Sequence, residues 1–187
     1  MAVSARRGAP LTLEEISSVA LRLIDEGGME GLSMRKLAAE LNVNPMSLYH
    51  HVASKEALIG LICATAAHHV QLPPDDGSPW QEQLRELALA YYRHAREHQS
   101  LWTYLQNHPE AVADRQMSIW QALYRILRLA GVPESELRRT SDVLHAFVTG
   151  FVVAETRGHL PDDPDEISRD FDTAIRLIIH GLAGFSS

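Results

Sequence analysis

The sequence predicts an all-α fold: an N-terminal three-helix group holding a helix-turn-helix, then a larger α-helical part. Three observations predict it. Apolar residues recur every three or four positions through about nine stretches, with no β-type alternation and no internal repeat. Ser, Thr, Asp or Asn stands before several of these stretches, and Gly or Pro follows them. The segment from Ser33 to Lys55 reads as two brief helices joined by a tight turn.

In chain order, residues 1–10 form an arm with Arg6 and Arg7, able to follow phosphates or the minor groove unless it is simply a loose terminus. Thr12 to Glu15 is a capping box that opens a first helix. Its stripe is Ile16, Val19, Ala20, Leu23 and Ile24, and Gly27-Gly28 ends it. Ser33 caps a second helix, Met34 to Leu41, with Leu37, Ala38 and Leu41 on one face. Asn42-Val43-Asn44 breaks the period. Asn44 then caps a third helix that starts at Pro45, whose missing N–H is no loss there, and runs to about His51. Ser54-Lys55-Glu56 starts a fourth helix, which reaches about Val70 through Leu58, Leu61, Ile62 and Ala66.

Leu72 to Ser78 is the one clear linker. It divides the chain into a helix-turn-helix domain with its arm at 1–70, a linker at 71–79 and a second domain at 80–187. Ser78-Pro79-Trp80 restarts a helix striped by Leu84, Leu87, Ala88, Tyr91 and Ala95. Leu101 to Leu105 is a short apolar piece, closed by Asn107-His108-Pro109. Glu110 to about Ala130 is a long helix with Met117, Trp120, Tyr124 and Leu127, and Gly131-Val132-Pro133 ends it. Another long helix spans Glu134 to Gly158. Asp163 to Glu166 caps the last, which carries Phe171, Ala174, Ile175, Ile178, Leu182 and Phe185.

Leu48 and Val52 mark the inward side of the third helix. The other side holds Met46, Ser47, Tyr49 and His50. In a helix-turn-helix the second helix lies in the DNA major groove and the first crosses the backbone. An ordinary helical hairpin has the same apolar pattern. The Asn-Val-Asn-Pro turn and the Tyr-His-His run favour DNA.

Charge limits how that binding works. The net charge is −7, with six Lys/Arg against seven Asp/Glu in residues 1–70 and eleven against seventeen in the rest. Affinity must rest on a few placed cations, Arg6, Arg7, Arg35, Lys36 and Lys55, multiplied by pairing two half-sites. No apolar run reaches the roughly 18 residues of a membrane span, and the start of the chain lacks a signal-peptide core, so a cytoplasmic protein with no membrane partner is expected. The single cysteine, Cys63, reads as a small buried hydrophobe. No glycine-rich phosphate loop, HExxH or nucleophile elbow is present, which argues against an enzyme.

The last two helices predict self-association. Ala146, Gly150, Ala154 and Gly158 recur every four residues, beside Phe147, Val148, Phe151, Val152 and Val153. A helix apolar nearly all round needs partners all round. The expected partner is a second copy, seated also on Ile175, Ile178, Ile179 and Leu182 in a four-helix bundle. The alternative is a helix central to one subunit.

Residues 12–70 resemble the DNA-binding domain of the tetracycline-repressor (TetR) family. The segments that carry the resemblance are GLSMRKLAAEL, the turn, SLYHHV and SKEAL. The Pro-Trp near 79–80 and the last two helices look like that family's ligand-binding and dimerisation region. The resemblance implies a dimeric regulator in which an effector enters the second domain and the fourth helix moves as a lever. By motif position, Ser33 and Arg35 touch DNA from the second helix, and Pro45, Met46, Ser47, Tyr49 and His51 occupy recognition positions beside His50. Lys55 is the phosphate anchor. Pro45-Met46 stand where the family's namesake has Gln-Pro, so its operator does not transfer. Leu105 and Ala154 fall near its metal-linked histidine and acid, so no metal and no cofactor is expected.

Candidates for lining an effector cavity are His69, Tyr91, Trp102, Trp120, Tyr124, His145 and Phe147, although aromatic stripes at helical spacing are often plain core. His94 and His98 have metal-ligand spacing, but Arg93, Arg96 and Glu97 beside them point to a solvated face. The expected function is a ligand-responsive repressor of palindromic operators. The competing reading is a helical small-molecule-binding or scaffold protein without a DNA function.

Overall fold

The computed structural model describes residues 10–108 and 118–186. Within them lie α1 (Leu13–Gly31), α2 (Met34–Glu40), α3 (Pro45–His51), α4 (Lys55–His69), α5 (Trp80–Glu97), α6 (Gln99–Asn107), α7 (Ser118–Leu129), α8 (Glu134–Thr156) and α9 (Pro164–Ala183). A 3₁₀ turn at Gly184–Ser186 follows. Among the described residues there is no strand. The expected arm with Arg6 and Arg7, and the expected start of the seventh helix from Glu110 through Met117, lie outside them.

The chain forms two compact units. One takes in α1–α4 and α6, the other α5 and α7–α9. Helix α6, which the sequence pattern leaves in the second half, packs against α1 in the first unit. Its Leu101 and Leu105 are buried there with Ile16, Leu23, Leu37, Leu48, Leu58 and Ile62.

Local chemistry sets the ends of the first unit's helices. Thr12 Oγ1 accepts from the Glu15 amide at 3.2 Å, Ser33 Oγ from Lys36 at 3.1 Å, Asn44 Oδ1 from Met46 at 2.9 Å and Ser54 Oγ from Ala57 at 3.1 Å. Each bond satisfies an amide that its helix leaves without a partner. The first helix does not stop at Gly27-Gly28. Gly28 takes φ 67°, which breaks the regular helix, and the chain makes a further short turn to Gly31. Lys36 reaches back over this end: its ammonium lies 4.0 Å from where a β-carbon on Gly27 would stand. Arg22 joins α1 to α2 through Glu40 at 3.0 Å. The buried Ser17 hydroxyl donates to Glu14 O at 2.9 Å and accepts from Thr65 Oγ1 on α4 at 2.7 Å, so this buried polar group is satisfied.

In the second unit α5 packs against α7, α8 and α9. Phe171 of α9 is fully buried, stacked on Tyr92 with ring centres 4.5 Å apart and edge-on to Phe151 at 5.1 Å. The Tyr92 hydroxyl donates to Glu155 at 2.6 Å, and Arg96 holds the other carboxylate oxygen at 2.9 Å. Burial and that carboxylate push the Tyr92 phenol up. The segment before α5 is tied down: Arg125 of α7 donates to Asp75 at 2.9 Å, to Gln83 at 2.7 Å and to Pro73 O at 3.2 Å.

Three expectations are corrected here. His94 and His98 do not sit on a solvated face; both are buried. His94 continues the inward stripe of Leu84, Leu87 and Tyr91 on α5. His98 bonds Asp25 of α1 through Nδ1 at 2.9 Å, within the first unit. Ile175 and Leu182 do not face outward either. They are 2% and 5% exposed, in the chain's own core. Phe185, placed on the buried stripe of the last helix, is instead 45% exposed in the 3₁₀ turn.

Phe171→Ala should cost about 3–5 kcal/mol, because Tyr92, Phe147 and Phe151 cannot all collapse into the space left. Urea unfolding followed by circular dichroism measures it. Burial pushes the Cys63 thiol up to about 11. Native protein at pH 8 should therefore react with a thiol reagent far more slowly than urea-unfolded protein, as absorbance after mixing will show.

Candidate nucleic-acid interface

The reading face is built from α2, α3 and the start of α4. Leu48 is 0% exposed and Val52 4%, so α3 is pinned by its inward side. Every other residue of α3 is exposed: Pro45, Met46, Ser47, Tyr49, His50 and His51. Met46 is 66% exposed and Tyr49 46%. Tyr49 therefore keeps much of its ring open to solvent. Asn42, at φ 53°, turns the chain between α2 and α3 in a conformation that asparagine tolerates. Ser33 and Arg35 at the start of α2, and Lys55 at the start of α4, are exposed as well.

The cations divide by task. The described part of the first unit holds Arg22, Arg35, Lys36 and Lys55. Arg22 is committed to Glu26 and Glu40, and Lys36 leans over the end of α1. Arg35 and Lys55 are left without an ion pair among the described residues. A guanidinium fork matches a guanine edge or a phosphate, and an ammonium matches a phosphate.

The effector candidates separate. Trp102 packs against the core of the first unit, and His69 is exposed at the end of α4. Tyr91, Trp120, Tyr124, His145 and Phe147 belong to the second unit. Three of these meet: Tyr91 Oη and His145 Nδ1 share a hydrogen bond of 2.8 Å, and the Trp120 ring lies 5.1 Å from the imidazole. Burial raises the Tyr91 phenol well above its ordinary range, so the hydroxyl stays protonated. Tyr124 packs on the neighbouring aliphatic core, and Phe147 joins Phe151 and Phe171. The Glu155–Tyr92–Arg96 group was not foreseen. Arg96 and Tyr92 lie one helical turn apart, but their acid comes from α8, a pairing with no local signal.

On α8, Ala146, Gly150 and Gly158 are exposed and Ala154 is half-buried. On α9, Ile178 and Ile179 are half-buried. Val143 and Leu177 stand out at 63% and 70% exposed. Among the described residues no helix is long and apolar enough to cross a membrane.

Two family models match the chain. Residues 16–62 match bacterial regulatory proteins of the tetR family, and residues 84–178 match the tetracyclin repressor-like C-terminal domain. The class E tetracycline repressor protein of Escherichia coli is 39% identical over 85 residues, 44% of this chain and 40% of that repressor. The chain thus matches about two fifths of that relative's length. The TetR family protein ActR of Streptomyces coelicolor, solved with actinorhodin, superposes with a TM-score of 0.78 at 26% identity, over 96% of this chain and 100% of that one. BioQ, solved with its double-stranded DNA operator, superposes at 0.71 with 27% identity, over 94% and 99%. With a family model on each side of the linker and one fold shared over nearly the whole length, the chain belongs to the tetR family of bacterial regulatory proteins.

Proposed function

We propose that this protein is a ligand-responsive transcriptional repressor that binds palindromic operator DNA as a homodimer in the cytoplasm and is released by a small-molecule effector. The observation that carries the reading is the exposed face of α3, with Arg35 and Lys55 beside it and without an ion pair among the described residues. Ser33, Arg35, Pro45, Met46, Ser47, Tyr49, His50 and His51 contact the operator, and Lys55 anchors a phosphate. The solved BioQ–operator complex supports a DNA partner, and the ActR–actinorhodin complex supports an organic effector.

The second unit holds the effector and the partner subunit. Tyr91, His145 and Trp120 offer a hydrogen-bonding pair against an aromatic wall, which suits a planar ligand with polar substituents. The outward side of α8 and α9, with Val143, Ala146, Gly150, Gly158 and Leu177, supports the dimer, since small side chains let a second helix approach closely.

Fluorescence anisotropy on duplexes enriched from a random pool tests the reading. Binding should fall steeply with salt, by roughly 0.9 in log–log slope for each phosphate neutralised. Arg35→Ala and Tyr49→Ala should each weaken it at least about tenfold. Binding that survives both changes overturns the assignment, and an absence of any DNA enrichment favours a small-molecule-binding protein without DNA function. A β-carbon on Gly150 would stand in open space, clear of every other side chain by 4 Å, so the fold of Gly150→Glu should persist. Sedimentation should then show a monomer where the wild type sediments as a dimer.

A further inference from the structure

We infer that Pro45-Met46 at the start of α3 selects its operator through thymine methyl groups rather than through hydrogen bonds, with Met46 as the reading side chain. The inference rests on the DNA-binding function proposed above and adds the chemistry of the base contact. Its starting point is what this turn lacks. Pro45 has no N–H. The Met46 amide is used by Asn44 Oδ1 at 2.9 Å, and the Ser47 amide by Asn44 O at 2.9 Å. The Asn44 side chain is in turn occupied as the cap, so its amide does not read an adenine edge as a free asparagine would. The side chains that follow, a pyrrolidine ring and a thioether, offer no donor and only a weak acceptor.

What the turn presents instead is apolar surface. Among the described residues of the first unit, the large hydrophobic side chains left exposed are Leu13, Met46 and Tyr49. Two of these three stand three residues apart on one short helix, which puts them on one face. Met46 is the most exposed of them at 66%. Of the groups on a base-pair edge in the major groove, the one complementary to such a surface is the 5-methyl of thymine. Methionine is unbranched and polarizable, so it can settle over a methyl group without demanding one fixed geometry. Hydrogen-bonded readout is then left to Arg35 on α2 and to Ser47 and the histidines further along α3.

The test uses the full-length protein and a duplex that it enriches from a random pool. Each thymine of the enriched half-site is replaced in turn by deoxyuridine, which removes one methyl group and leaves every hydrogen-bonding group in place. Wild-type affinity should fall about fourfold at one or two positions, the loss expected for one buried methyl. Met46→Ala should bind more weakly and no longer distinguish thymine from deoxyuridine at those positions. Met46 is exposed, so the variant folds, and circular dichroism confirms that. If no deoxyuridine substitution weakens a duplex that the protein binds well, the inference falls while the regulator reading stands. If Met46→Ala keeps the full deoxyuridine penalty, another side chain reads the methyl and the inference also falls. If no duplex is enriched, the regulator reading itself fails, and this inference with it.

Discussion

The first unit depends on the anchoring of a seven-residue helix by one side chain. Helix α3 is too short to be stable by itself in water. Leu48, wholly buried among Leu37, Leu58 and their neighbours, holds it from the inside, and Val52 closes its end. Because a helix has 3.6 residues per turn, fixing Leu48 inward fixes Met46, Ser47, Tyr49 and His50 outward. The reading face is thus a consequence of the core and needs no separate device. The caps at Ser33, Asn44 and Ser54 complete this by setting where α2, α3 and α4 start. A loose start would rotate the contact residues away from one another.

The second unit solves another problem, how to bury polar groups among aromatic rings. Glu155 is only 10% exposed in its side chain and is held by both Tyr92 and Arg96. An acid buried this far survives only when its oxygens are bonded, and both are. Tyr91 and His145 pair in the same manner. These bonds fix the rotation of α8 against α5. They leave Val143, Ala146 and Gly150 outward while Val148 and Val152 face in. The separation of an inner from an outer apolar side on α8 thus follows from where the polar pairs lock.

Local features were legible in the sequence, and long-range ones were not. Thr12, Ser33, Asn44 and Asp163 announce helix starts because a cap bonds an amide two or three residues away. Leu37 and Leu48 announce a buried face through period alone. The same period could not say what covers an apolar stripe. Ile175 and Leu182 share a stripe with Phe171, and Leu177 lies off it. The period marks that stripe as buried but does not say that its cover is the chain's own core, where Ile175 and Leu182 lie while Leu177 is 70% exposed. Charged sequence neighbours do not decide the exposure of His94, which is 5% exposed beside the exposed Glu97. Helix α6 gave no sign that it packs on α1, because nine residues do not encode which of two cores they join. The Arg125 ties to Asp75 and Gln83 span 50 and 42 residues and leave no local trace.

Charge economy is the last link between this fold and its function. The first unit has few cations and spends two of those described on itself, Arg22 on the α1–α2 tie and Lys36 over the end of α1. That expenditure is structural: the last turn of α1 carries no basic residue of its own, and a cation there complements the helix dipole. Among the described residues, Arg35 and Lys55 are then left for the proposed DNA contact, on a chain whose net charge is −7. One reading head so equipped gains little from counterion release and is opposed by the acidity of residues 71–187. Two heads held by the proposed dimer would turn the second contact into an intramolecular one and multiply a weak affinity without any new cation. The scarcity of charge on the reading face and the apolar outward side of α8 and α9 therefore belong to the same design.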